Sequence, residues 1–334
     1  MREENINFRI ILRVALALLP ALLGLTTPAL IICAYDIAFS LILFGQGTCV
    51  IASLSAVLLS MLYCGLFGAS AQMQGLFLGI EAVLCGVACG YSVTEKKNFY
   101  FGMWAATFGF LLPSCVNLYL VAGAKGQSVA DFLTSSLLHE MRIQIDNVLV
   151  QAGLESGAFD SIINTIGKII VMSIPSILVI TSLIVGYIIM WIVCFALRKT
   201  PLNIKHSFSE IILPKAVPIF FIFAVVSSVL LSKADELYIG AALNSVIILG
   251  SLCFFSGVSV VDYYLRRLIP IVPARVIVHF FIYVFSAVFA GISIYFNIYT
   301  VYILLGIISA FVNIRKHFDK NIEDIGDEKV KYTI

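Results

Sequence analysis

The stretch GLFLGIEAVLCGVACG, residues 75–90, decides the fold. It is apolar almost throughout, yet carries Glu81 near its centre. Extended to residues 72–93, it is long enough to cross a bilayer, since about 20 helical residues span roughly 30 Å of hydrocarbon. On a helix turning about 100° per residue, Gly75, Gly79, Gly86 and Gly90 fall within about 60° of one another. Such a seam lets a neighbouring helix approach closely, which matters in lipid because no hydrophobic drive pulls helices together. Glu81 falls about 150° round from the middle of the seam. A carboxylate facing bare lipid costs several kcal/mol, so this second face is expected to meet the bundle interior or a wet cavity.

The rest of the chain reads the same way. Of 334 residues, 61% are hydrophobic and 12% charged, and the mean hydropathy is +1.04. Soluble domains run nearer about 45–50% apolar and about 25% charged. The composition implies an all-α polytopic transmembrane bundle of about ten spans: 10–26, 28–44, 48–67, 72–93, 99–122, 168–197, 214–232, 237–262, 274–294 and 296–314. The first two are parted only by Thr26-Thr27-Pro28, so 10–44 also reads as one kinked span. Arg9 and Arg13 precede an apolar run without a small-residue cleavage site, so this run is expected to be an anchor helix rather than a removable signal.

Charge orients the bundle. With the N-terminus inside, 17 of the 21 Lys and Arg residues fall on the inner side. Only Lys125, Arg142, Lys168 and Lys233 fall outside. Cytoplasmic loops carry such an excess, so both termini are expected on the cytoplasmic side of the membrane. The layout is a five-helix half over 1–122, an outer connector over 123–167, a second five-helix half over 168–314 and a charged tail over 315–334. In the connector, Ser128-Val-Ala-Asp131 forms a capping-box pattern. Phe132, Leu133, Leu137, Met141, Ile145, Val148 and Leu149 then recur at helical spacing up to Gly153. This predicts an amphipathic outer helix, either a packing connector or a lid.

Asp36 is a second intramembrane acid, and both acids lie in spans running outside to inside, at similar depth. No Lys or Arg falls in a mid-span to pair with them. Asp36, Glu81, Asn117 (four residues after Pro113) and Gln74 at the outer mouth are therefore candidate ligand-binding residues for a small polar or cationic ligand or for protons. Neutral, structural carboxyls are the alternative. His279 reads as a structural residue of the ninth span.

Marks of catalysis are missing. HEMRI, residues 139–143, has Ile143 where a zinc-protease helix needs its second histidine. There is no phosphate-cradling glycine loop, and Ser259 in GVSVV lacks the trailing glycine of a nucleophile elbow. The eight cysteines show no metal-ligand or disulfide pattern. The expectation is a non-enzymatic protein with no metal, no cofactor and no nucleic-acid partner.

Gly257-Val-Ser-Val-Val-Asp262, Arg275 after a short proline-bearing loop, and Asn313-x-Arg315-Lys316 at the last helix end resemble the YybS-like family of bacterial polytopic membrane proteins. The N-terminal half of that family is similar to substrate-binding components of energy-coupling-factor transporters. That resemblance implies a small-residue seam on the first helix facing a membrane coupling protein, which Ala17-Leu-Leu-Pro-Ala21 fits in spacing. Asp262 is expected to pair with Arg266 one turn on. Arg266, Arg267, Arg275, Arg315 and Lys316 then make a basic inner collar for lipid headgroups or a cytoplasmic partner. Two functions follow from these residues: a small-molecule transporter or substrate-binding subunit, or a membrane scaffold or assembly factor.

Overall fold

A computed structural model describes residues 26–66, 68–136, 139, 143, 160–197, 208–231, 235–269, 271, 273–281, 298–312 and 314. The described chain is an all-α membrane helix bundle. Backbone polar groups find no partner in hydrocarbon, so each apolar run closes its hydrogen bonds within itself. The helices are α1 (Thr26–Phe44), α2 (Gln46–Gly65), α3 (Ala69–Thr94), α4 (Phe99–Ala124), α5 (Asp160–Ala196), α6 (Ala216–Leu230), α7 (Glu236–Leu268) and α8 (Ile298–Phe311). Shorter helical segments cover 129–136 and 273–281.

Among the described residues, five stretches are long and apolar enough to cross a membrane: Gln46–Gly65, Gln72–Thr94, Phe99–Ala124, Gly167–Ala196 and Leu237–Leu268. Leu30–Phe44, Ala216–Leu230 and Tyr299–Phe311 are shorter apolar helices. The expected span 10–26 lies outside the described residues, as does most of 274–294. The choice between one span and two over 10–44 lies outside with them. The end of α1 is set by Gly45, whose φ of 83° reverses the chain in a single residue.

Two compact units divide the chain at 206/207. The second half was expected to begin at 168, but α5 starts at Asp160 and packs against α4, α1 and α3 of the first unit. In the first unit α3 is the hub: over an 18-residue stretch of its span 56% of the residues are buried, against 11% over such a stretch of α2. The outer faces of α2 (Leu54, Leu58, Leu62) and α4 (Trp104, Phe108, Leu112) are exposed rows of large apolar side chains, a surface that suits lipid.

The glycine seam of α3 forms as its spacing predicts, and it serves two neighbours. A Cβ on Gly75 or Gly79 would press on α2, the latter 2.7 Å from the Val57 Cα. One on Gly86 or Gly90 would press on α1, at Ile37 and at Ala38. These pairings run α1 parallel to α3 and α2 antiparallel to it. On α4, Gly109 lies against Leu84 and Cys85 of α3, and the Cys85 thiol donates to the Ala106 carbonyl over 3.2 Å. Asn98 caps α4, its side chain accepting from the Phe101 N–H over 2.7 Å.

The second unit holds α6, α7 and α8. Gly257 and Gly306 bring the backbones of α7 and α8 together, where a Cβ would land on the carbonyls of Tyr302 and Cys253. The Ser256 and Ser309 hydroxyls meet at 3.2 Å in the same contact. The Ser259 hydroxyl donates to the Ile211 carbonyl over 3.3 Å, which ties α7 to the short turn Phe208–Glu210.

Ser128 caps the connector's helix, making one of the two bonds of a capping box. The Ser128 hydroxyl accepts from the Asp131 N–H at 3.1 Å and donates to its carboxylate at 2.6 Å. Leu137, Met141, Ile145, Val148, Leu149 and Gly153 lie outside the described residues.

Candidate functional site

Glu81 stands midway along α3 and is 5% exposed. It points away from the glycine seam, toward α4, where the Ser114 hydroxyl donates to its Oε1 over 2.7 Å. Ser114 follows Pro113, which has no N–H and so removes the helical bond to the Gly109 carbonyl. One turn on, at i+3 and so on the same side of α4, Asn117 buries its side-chain carbonyl oxygen without a hydrogen-bond partner. Gln74 lies two turns before Glu81 on the same face of α3, and it is exposed. Glu81, Ser114 and Asn117 thus form a polar strip between α3 and α4, with Gln74 exposed nearer the N-terminal end of α3. No ion pair reaches Glu81 among the described residues.

Asp36 takes a different place. Ile37, Ala38 and Leu41 are the α1 residues that meet Gly86 and Gly90. Asp36 lies well over 90° round α1 from them, on the half turned from α3. It is half-buried and engaged with its surroundings. The same pairings set Asp36 level with Gly86, about 7–8 Å along the axis from the level of Glu81. The two acids therefore differ in both depth and direction. Sequence reasoning equated their depths because each is near the middle of its own span, whereas register is set by the glycine contacts.

The second cluster lies in the second unit. Asp262 on α7 does not turn to Arg266. Its Oδ1 lies 3.3 Å from the Arg275 Nε and 3.8 Å from the His279 Nε2, both on segment 273–281. Arg266 reaches Glu210 at 3.9 Å, with both side chains largely exposed. Arg275 does not join an exposed collar, because the residue is 8% exposed. Arg267 does stay exposed, its guanidinium donating to the Tyr263 hydroxyl over 3.3 Å. Arg315 and Lys316 lie outside the described residues, as do Ala17 and Ala21.

Two partners were missed. Ser114 is one of many serines, and nothing in the sequence singles it out except its place after Pro113. His279 could have been found: it follows Arg275 by four residues, so both share a face of any helix there. The eight cysteines are free, and no group of three His, Cys, Asp or Glu residues suited to a metal occurs among the described residues.

A family model described as a predicted membrane protein (DUF2232) matches residues 12–308. No curated protein and no solved structure matches the chain.

Proposed function

The chain belongs to the DUF2232 family of predicted membrane proteins, and we propose that within it this chain is a small-molecule transporter or the substrate-binding subunit of one. The observation that carries this reading is Glu81. A mid-helix carboxylate, buried in an integral membrane protein and met by one hydroxyl rather than by a cation, suits a small cationic or polar ligand, or a proton. The unpartnered Asn117 oxygen one turn on adds a second acceptor. Asp36, on another face and level, is assigned no part in that contact. The role is non-catalytic and needs no cofactor.

The finer resemblance, to YybS-like proteins and to substrate-binding components of energy-coupling-factor transporters, belongs to this proposal. So do a bacterial plasma-membrane location with both termini cytoplasmic and a membrane coupling partner. The test is to compare the small molecules retained by the wild type and by Glu81→Gln, purified as equally folded protein, using untargeted mass spectrometry. The variant is expected to lose a polar or cationic species that the wild type keeps. Identical retention would remove Glu81 from any binding site.

One observation favours the scaffold reading: Arg266 and Arg267 stand exposed at the end of α7. In that reading they dock a cytoplasmic partner. Charge reversal at both would then release the partner in a pull-down, while Glu81→Gln would leave it bound.

A further inference from the structure

We infer that Arg275 and His279, held by Asp262, form a binding site for a phosphate oxyanion at headgroup level. This is independent of the ligand assigned to Glu81. Three observations converge on it.

The first is a shortage of acceptors. Among the described residues, Asp262 Oδ1 is the one carboxylate oxygen near Arg275 and His279, and it lies close to a single nitrogen of each. The Arg275 Nε and Nη1 and both ring nitrogens of His279 are buried without a geometrically sound hydrogen bond. A guanidinium carries five N–H donors in a planar fork. Unmet donors in a buried site are costly, so this arrangement calls for an oxygen-rich acceptor. A phosphate matches the fork and offers oxygens to the imidazole as well.

The second is depth. Helix α7 has 33 residues and is about 50 Å long at 1.5 Å per residue. The hydrocarbon layer is roughly 30 Å thick, so centring the helix leaves about 10 Å beyond it at each end. Asp262 lies six residues before the end at Leu268, about 9 Å along the axis. Asp262 therefore lies within about 1 Å of the hydrocarbon edge, against the headgroup layer, and Tyr263 and Tyr264 follow it as aromatic residues do at that level.

The third is access. On segment 273–281, Val276, Ile277, Phe280 and Phe281 are exposed apolar side chains. Acyl chains lying along them would bring a headgroup to the neighbouring Arg275. Arg266 and Arg267, exposed one turn beyond Asp262, add attraction for an anion without holding it in place.

The chemistry shared by a lipid headgroup and a soluble phosphate is the oxyanion, and the experiment separates them. Full-length protein is reconstituted in phosphatidylcholine vesicles containing phosphatidylglycerol, extracted, and its retained lipid measured by native mass spectrometry with and without inorganic phosphate. The wild type is expected to retain phosphatidylglycerol over phosphatidylcholine, with affinity falling about tenfold or more in Arg275→Gln. His279→Gln leaves the Arg275–Asp262 pair in place and is expected to weaken retention too, which keeps the test open should Arg275→Gln not fold. Arg266→Gln is the control for general attraction and should change retention little. Displacement by inorganic phosphate would assign the site to a soluble anion, and resistance to it would assign the site to lipid; either supports the proposal. Retention unchanged in both Arg275→Gln and His279→Gln, or binding of neither phosphatidylglycerol nor phosphate by the wild type, overturns it.

Discussion

The two units solve one problem, a carboxylate in a membrane helix, in opposite ways. In the first, Glu81 sits at mid-span and is met by the Ser114 hydroxyl. In the second, Asp262 sits near a helix end and is met by Arg275 and His279. A cation already at contact distance offsets the charge of Asp262 and leaves donors over. A hydroxyl offsets no charge, so Glu81 keeps its capacity for a cation or a proton. The ligands proposed for the two places are accordingly opposite in sign. Both units bring their helices together through glycine, so the difference lies in which side chain faces the acid and not in how the helices pack.

The shared scaffold gives the largest expected effect. Gly257→Val sets a side chain against the Tyr302 backbone. Ordinary overpacking costs about 1–3 kcal/mol and can exceed that where nothing gives way. The Tyr302 carbonyl belongs to a helix and cannot rotate aside, so loss of the monodisperse peak in size-exclusion chromatography is expected. Gly240→Val, on the same helix with nothing within 4 Å of its Cβ, is expected to purify normally. If both variants behave alike, the α7–α8 contact is not what holds this unit.

Next comes the pair itself. Asp262→Asn leaves the Arg275 guanidinium buried without its counter-charge, which for a buried pair costs about 3–5 kcal/mol. A large drop in thermal unfolding temperature in detergent is expected, with partial recovery in the double variant Asp262→Asn/Arg275→Gln. A drop no larger than that of an exposed substitution would mean that the pair is wetter than its burial implies.

How far these contrasts could be read from the chain depends on which contacts are local. The seam Gly75, Gly79, Gly86 and Gly90 was legible because helical period alone puts four glycines on one side, and Glu81 on the reverse follows from the same arithmetic. The Ser128 cap was legible because it closes within four residues. Partner choice was not. Asp262 had Arg266 at i+4, yet Arg275 and His279 reach it because the chain turns after Leu268 and packs a new helix alongside, which no local period records. The depth of Asp36 failed for the same reason, since α1 registers on α3 through Gly86 and Gly90 rather than by its own midpoint.

The smallest effects on stability test the contrast most closely. Ser114→Ala leaves Glu81 buried and strips its donor; hydrogen bonds to charged groups are worth about 1.5–3 kcal/mol, so a moderate fall in unfolding temperature is expected. Glu81→Gln keeps an oxygen that can accept from Ser114, and its cost should be about 1 kcal/mol or less. A purely structural carboxyl would let Gln substitute for it in every assay. If Glu81 is instead the group that meets a cationic ligand or carries a proton, Glu81→Gln separates two readouts, with melting nearly unchanged and retention of the ligand lost. Ser114→Ala should do the reverse, lowering stability while weakening retention only in part, because the carboxylate remains. Should Glu81→Gln destabilise as strongly as Asp262→Asn, the contrast between the two units collapses, and Glu81 becomes a second structural acid.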